Sequence, residues 1–242
     1  MEIKPLISEN ELMALLMARL ETAVTHIKPI ATGQIAKGFF FEAAGEDYVI
    51  RFTRANMAMG LHKDQYAYTH FASPQIPIPP VIGVDEFQDF TYIITRRMPG
   101  KILDQLSEAE YEQLLPALME TLDAIHQTDV RDASGYGSFD GQGVGLAASW
   151  PDHLRHVYEE EDERWFYGKW HTLFETTFLE RDLFDRVYAE MDSLLIFAPT
   201  ERFLVHADFG SDNALAENGK ITAVLDWANA VYGDFLYDVA WL

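Results

Sequence analysis

Cysteine is absent from the 242 residues, which removes disulfides, thiolate nucleophiles and Cys-based zinc sites from consideration. Basic residues are scarce: 18 Lys and Arg stand against 39 Asp and Glu, a formal net charge of −21. A nucleic-acid partner needs clustered Lys and Arg to meet its phosphates, so the composition argues against that class. A strongly acidic cleft concentrates cations and points to a cationic partner, although the same acidity also serves plain solubility. No apolar run approaches the roughly 18–20 residues that span a bilayer. The opening Met1-Glu2-Ile3-Lys4-Pro5 has neither the basic nor the apolar region of a signal peptide. The expectation is a soluble, cytoplasmic protein without membrane contact.

What is present suits a buried core: 48% hydrophobic and 13% aromatic residues. The length allows one large domain or two lobes of about 100–150 residues each. Ser8 with Glu11 makes a capping box ahead of Leu12, Leu15, Leu16 and Leu20 at helical spacing. Phe39–Glu42 and Tyr48–Phe52 read as two strands joined by a five-residue loop, Ala43–Asp47. Ahead of them, residues 31–38 contain two glycines five apart, compatible with a loop over phosphates and equally with an ordinary turn. A short helix with Asp64, Tyr66, Tyr68 and Phe71 follows, then an extended crossing forced by Pro74, Pro77, Pro79 and Pro80. Val81–Val84 and Tyr92–Thr95 form another strand pair, and Arg96–Gly100 is the candidate hinge.

From Ser107 the texture changes to helical. Ser107 and Glu110 form a second capping box, and Leu114, Leu115, Leu118, Met119, Leu122, Ile125 and His126 recur at helical spacing as one face, with Pro116 set to kink it or to mark a new first turn. Residues 129–149 are glycine-rich and read as irregular. Helical periodicity returns from Trp150 to Phe197, with Leu183, Phe184, Val187, Met191, Leu194 and Leu195 on one face. This segment carries the acidic run Glu159–Glu163, which reads as a solvated helix face or as a cation-attracting rim. The order of elements predicts an α+β chain: a strand-rich lobe over residues 1–98 and a helical lobe over 99–242, with a cleft between them.

The stretch with the most chemistry is Phe203–Asn213. An apolar run breaks into a polar loop with Asp208, Gly210 and Asn213; a second run, Ile221–Leu225, ends in Asp226-Trp227. Two strands that deliver carboxylates, with a carboxamide between them, suit a metal and a polyphosphate. The Asp208-to-Asn213 spacing is that of a kinase catalytic loop, and Asp226 follows where such a fold puts its main magnesium ligand. Phosphoryl transfer is mostly positioning and charge neutralisation, so it needs an anionic proton acceptor and hard oxygen ligands for magnesium.

His206–Asn213, Leu225-Asp226-Trp227 and Gly233–Asp238 together resemble the aminoglycoside phosphotransferase family, and within it most of all the hygromycin B phosphotransferase branch. The similarity extends through Tyr48–Arg51, Lys63–Tyr66, Phe71–Ser73, Ile76–Pro79 and Asn218–Val224. It implies a bilobal fold related to protein kinases, with ATP or GTP as co-substrate, Mg2+ as cofactor and a cationic aminoglycoside as acceptor. Carried over by position, Asp208 matches the catalytic base, and Asn213 and Asp226 match the metal ligands. Val49 and Arg51 lie on one face of their strand, so that Val49 can line the adenine pocket and Arg51 reach phosphate. Arg51 stands where most kinases have Lys, and the two are not interchangeable; a surface role is the alternative. Asp64 matches the helix acid that pairs with this cation, one methylene shorter than the usual Glu. His206 is expected to brace the loop rather than to act as base or metal ligand, and Asp234 and Asp238 to brace the lobe. The chain ends at Trp241-Leu242 inside what reads as a helix, so the second lobe is expected to be a fragment or short.

Three readings remain open on sequence grounds. The first is a kinase, whose acceptor is an aminoglycoside or another hydroxylated metabolite such as choline, homoserine, a thioribose or a macrolide. The second is a non-catalytic nucleotide-binding module. The third is a metal-dependent hydrolase built on His206, Asp208 and Asp226.

Overall fold

The computed structural model describes residues 5–31, 35–159, 169–210 and 212–240. The centre of the glycine segment, Thr32–Gln34, lies outside them, as do residues 160–168 with most of the acidic run, and the last two residues.

The chain opens with helix α1 (Glu9–Leu20), started by the Ser8–Glu11 capping box, a device worth about 1 kcal/mol. Strands β1 (Val24–Pro29), β2 (Lys37–Ala43) and β3 (Glu46–Arg54) follow, then helix α2 (Met59–Phe71) and the pair β4 (Val81–Phe87) and β5 (Phe90–Arg96). These strands form one antiparallel sheet in the order β1-β2-β3-β5-β4. The β2–β3 connection is two residues, not five: Ala44 (φ 52°) and Gly45 (φ 78°) are both left-handed, as a tight turn matched to strand twist requires. Strand pairing therefore reaches Ala43 and Glu46, past residues whose composition reads as loop. Strand β1 is an addition to the expected set; its alternation of one buried position with polar ones is too sparse to read from sequence. Leu12 and Leu16 of α1 are fully buried against Phe39, Phe41, Ile50, Phe52 and Tyr92 on one face of the sheet, each burial worth about 1.5–3 kcal/mol.

The second half contains β6 (Lys101–Ile102), α3 (Glu108–His126), β7 (Tyr136–Phe139), β8 (Gly145–Ala147), α4 (Trp150–Arg155), α5 (Leu173–Thr176) and α6 (Arg181–Leu194). It continues through β9 (Phe203–Val205), β10 (Ala214–Glu217), β11 (Lys220–Val224), β12 (Val231–Gly233) and α7 (Leu236–Val239). The second capping box is present, and α3 runs through Pro116 as one helix. The stretch 129–149 is not wholly irregular: β7 joins β8 and β12. The face of α6 exists as periodicity, but Leu183, Val187 and Leu194 are each at least half exposed. The runs flanking the polar loop belong to different sheets, β9 pairing with β12 and β11 with β10.

Leu114, Leu118, Leu122 and Ile125 of α3 pack with Phe139, Leu204, Phe209, Trp227 and Tyr232 in a second core. Ala67 and Phe71 of α2 belong to this second core and not to the first. A helix encoded between strands of the first sheet is thereby docked on the half that carries the polar loop. Among the described residues, no helix is long and apolar enough to cross a membrane.

Candidate active site

A cavity of about 480 Å³ opens between the sheet and the β10–β11 hairpin, within the size range of small-ligand sites. Its apolar part includes Phe40, Val49, Ile78, Val81 and Leu215; its polar end holds Arg51, Asp64, Asp212 and Asp226. Val49 and Arg51 are two apart on β3 and so share a face, and both reach this cavity. The alternative of a surface role for Arg51 does not hold: its Nη2 donates to Asp64 Oδ2 in an ion pair, with side chains 26% and 7% exposed. Burial pushes the Asp64 carboxyl up, and Arg51 together with the Trp227 N–H pulls it back toward ionisation. Asp64 Oδ1 accepts that N–H at 2.8 Å, so one carboxylate joins β3, α2 and the residue after Asp226.

The polar loop follows β9. Ala207 sits at φ 61°, a conformation that a non-glycine residue adopts only when its surroundings enforce it. The enforcing group is Asp238, fully buried, which accepts the N–H of His206 (3.0 Å) and of Ala207 (2.6 Å) and faces His126 Nε2 at 2.9 Å. His206 is also fully buried; its Nε2 lies 3.0 Å from Leu225 O, which fixes Nε2 as the protonated nitrogen because a carbonyl only accepts. Burial holds the ring neutral. With that nitrogen committed to Leu225, the residue after β11, His206 braces the loop.

Asp208 is half-buried and lies beside the cavity rather than in its wall. Its Oδ2 accepts Asn229 Nδ2 at 3.1 Å, and its backbone carbonyl accepts Asn213 Nδ2 at 3.0 Å. Asn213 thus keeps its amide oxygen as the atom that can meet a cation. Burial raises the Asp208 carboxyl, the charges of Asp226 and Asp212 add to the rise, and Asn229 opposes it. Asp226 follows β11 and is itself left-handed, at φ 57°. Among the described residues, no set of three His, Cys, Asp or Glu side chains forms a metal cage.

Three participants lie outside the catalytic spacing, and of these only Asp238 has a role, bracing the lobe, that is expected from sequence. Asn229 reaches Asp208 from the turn after Asp226. Asp238 holds the backbone under the loop. Lys63, 1% exposed, lies beneath the Asp226 segment with its Nζ 2.7 Å from Ala228 O and 2.6 Å from Ala230 O. Burial lowers its ammonium to about 7, against the pull of Asp64 and Asp226. A sequence signal existed for Lys63 only in hindsight: it interrupts the buried positions Leu61, Asp64, Ala67 and Phe71 of one helix.

A strand-rich sheet, a helical half and a carboxylate-lined nucleotide-sized cleft between them define a small-molecule kinase class, and the sequence comparison is decisive at the family level. Residues 26–242 match the phosphotransferase enzyme family (APH), and the chain belongs to it. It is 36% identical to hygromycin-B 4-O-kinase of Escherichia coli over 246 residues, covering 98% of this chain and 67% of that protein. The crystal structure of aminoglycoside phosphotransferase APH(4)-Ia superposes with a TM-score of 0.81 at 34% identity, covering 96% of this chain and 76% of that one. A thermostable mutant of the same enzyme, in ternary complex with AMP-PNP and hygromycin B, gives 0.79 at 35% identity, over 95% and 75%. The fold is the kinase-like α+β fold of these phosphotransferases.

Proposed function

We propose that the protein transfers the γ-phosphoryl group of ATP or GTP to a hydroxyl of hygromycin B or a similar cationic aminocyclitol. The observation that supports this reading is that Arg51, Asp64 and Asp226 share one cavity wall, while Asp208 and Asn213 are hydrogen-bonded to each other on the polar loop, from segments far apart in the chain. In it, residues 1–98 act as a nucleotide-binding lobe and 99–242 as a catalytic and acceptor lobe. Val49 contacts the base, and the Arg51 fork, aimed by Asp64, meets phosphate oxygens bidentately. Asn213 and Asp226 would hold Mg2+, which neutralises charge on the β- and γ-phosphates when bound. Asp208 accepts the proton of the acceptor hydroxyl as its oxygen bonds to the γ-phosphorus and the bond to the bridging oxygen breaks. The raised carboxyl of Asp208 favours that proton transfer. The net charge of −21 draws a polycationic acceptor toward the cleft. A supply of nucleoside triphosphate is met in the cytoplasm.

The test is phosphate transfer from ATP to hygromycin B by the full chain, with Asp208→Ala alongside. Turnover in the variant is expected to fall about 10²–10⁴-fold, or about 3–5 kcal/mol in the barrier, with nucleotide affinity changed only slightly. Unchanged turnover rejects the assignment of Asp208. Transfer to other hydroxylated acceptors but never to hygromycin B rejects the acceptor.

A further inference from the structure

We propose that Lys63 is a positioning residue for phosphoryl transfer, its ammonium fixing the backbone of residues 226–230 so that Asp226 and Asn229 keep their places relative to Asp208. The inference rests on the function proposed above. An ammonium has three donors and no acceptor, and three oxygens surround this one: Ala228 O at 2.7 Å, Ala230 O at 2.6 Å and Ser138 Oγ at 3.3 Å. The two carbonyls flank Asn229, whose amide in turn holds Asp208 Oδ2. The next residue, Asp64, takes the Trp227 N–H. Adjacent residues of α2 therefore grip three backbone groups of the segment, one N–H and two carbonyls, and Asp64 also fixes Arg51.

Two further features point the same way. The Phe139 ring faces the ammonium with 4.5 Å to its centroid, a contact that favours the charged form in a dry site. At Gly60, one turn earlier, an added Cβ would lie 3.0 Å from Ala228 Cβ, so α2 approaches the segment about as closely as backbones allow. A position that only filled space would not carry a charge there, since burying an ammonium costs far more than burying an apolar chain of equal length. Without the ammonium, Ala228 and Ala230 lose their donor, and the segment between two reacting groups is free to shift.

The experiment compares three variants of the full chain. Lys63→Met keeps an unbranched chain, one atom shorter, and removes the charge and its donors. Lys63→Gln keeps two N–H donors. Leu12→Ala cuts the distant first core and serves as a pure stability control. For Lys63→Met, kcat with ATP and hygromycin B is expected to fall about 100-fold, the scale set by a misplacement of about 1 Å, with both KM values within about threefold. Lys63→Gln is expected to lose about tenfold, and it carries the same comparison if Lys63→Met does not fold. Leu12→Ala is expected to lower the melting temperature while leaving kcat unchanged. A second readout needs no turnover: the gain in ATP affinity on replacing EDTA with magnesium, measured by calorimetry, should shrink in both Lys63 variants. Wild-type kcat in Lys63→Met, or an equal loss in Leu12→Ala, overturns the inference. If the wild-type protein transfers no phosphate to hygromycin B, the functional reading fails on its own; an undiminished magnesium gain in the Lys63 variants then separately overturns the role of Lys63.

Discussion

The backbone around Asp226 presents a carboxylate to the cleft and the backbone around Asp208 presents one beside it, yet the two are held in opposite ways. The first is fixed by an anion: buried Asp238 accepts the N–H groups of His206 and Ala207 from only 32 and 31 residues away. The second is fixed from α2, where Lys63 and Asp64 take a carbonyl and an N–H across 167 and 163 residues. One loop is organised within its own half of the molecule, whereas the other depends on a helix encoded among the strands of the other half. The relative placement of the two carboxylates is thus set by how α2 docks, through Ala67 and Phe71, on the second core. In this fold the helix that pairs with Arg51 also fixes the backbone after the acid that follows β11.

The largest effect that would break this contrast is at Asp238. Asp238→Ala strands two buried N–H groups and His126, and should cost about 3–5 kcal/mol of stability, read by denaturant unfolding. Asp238→Asn keeps an acceptor oxygen and should lose visibly less. If both variants unfold like the wild type, the first loop is not held locally.

A smaller effect concerns the ground beneath that loop. His153 of α4 stacks on Trp150, and a Cβ on Gly137 would come within 2.4 Å of its ring, so the ring has little room for water. Burial, then the charges of His156 and Lys63, push its pKa from 6.5 down to about 4. The unfolded chain therefore binds the proton more readily between those values, so stability is full above about pH 6.5 and declines as pH falls toward about 4. The loss amounts to on the order of 3 kcal/mol across that window. Melting temperatures at pH 7 and pH 5 should differ more in the wild type than in His153→Gln; equal differences remove His153 as the cause.

The smallest effect probes the side-chain link from Asn229 to Asp208. Asn229→Ala removes the donor to Asp208 and should lower kcat/KM up to about tenfold, within the 0.5–1.5 kcal/mol or so of one hydrogen bond. A fall as large as that of Asp208→Ala would mean that Asn229 touches substrate.

Much of this was legible beforehand where chemistry is written as local pattern. Both capping boxes, the α2 helix, the α3 face apart from the exposed Leu115 and Met119, and the Asp208, Asn213 and Asp226 spacing are runs of side chains whose meaning does not depend on distant partners. The Arg51–Asp64 pair was accessible only through the family resemblance, because strand alternation puts Val49 and Arg51 on one face without saying which way that face turns. The rest was hidden for identifiable reasons. The β2–β3 turn was read as too long because Glu46 and Asp47 look like loop residues, while pairing with β2 keeps them extended. Strands β7 and β8 were missed because Gly135, Gly137, Gly143 and Gly145 dilute any alternation. The apolar face of α6 was visible, but sequence periodicity says nothing about whether such a face is covered, and here it is largely not.

By itself, then, the sequence set out the chemistry: which carboxylates and amide stand at kinase spacing, Arg51 as the candidate cation, and a charge balance that suits a cationic partner better than a nucleic acid. Those facts reside in residue type and short-range order, which the chain states directly. Only the tertiary structure decided that Lys63 is a buried clamp instead of a surface charge, that Asn229 answers Asp208, and that His206 is committed to Leu225. A lysine or an asparagine carries no mark of burial. Its role is set by which backbone groups the packed core leaves without partners, and that is known only once distant segments meet.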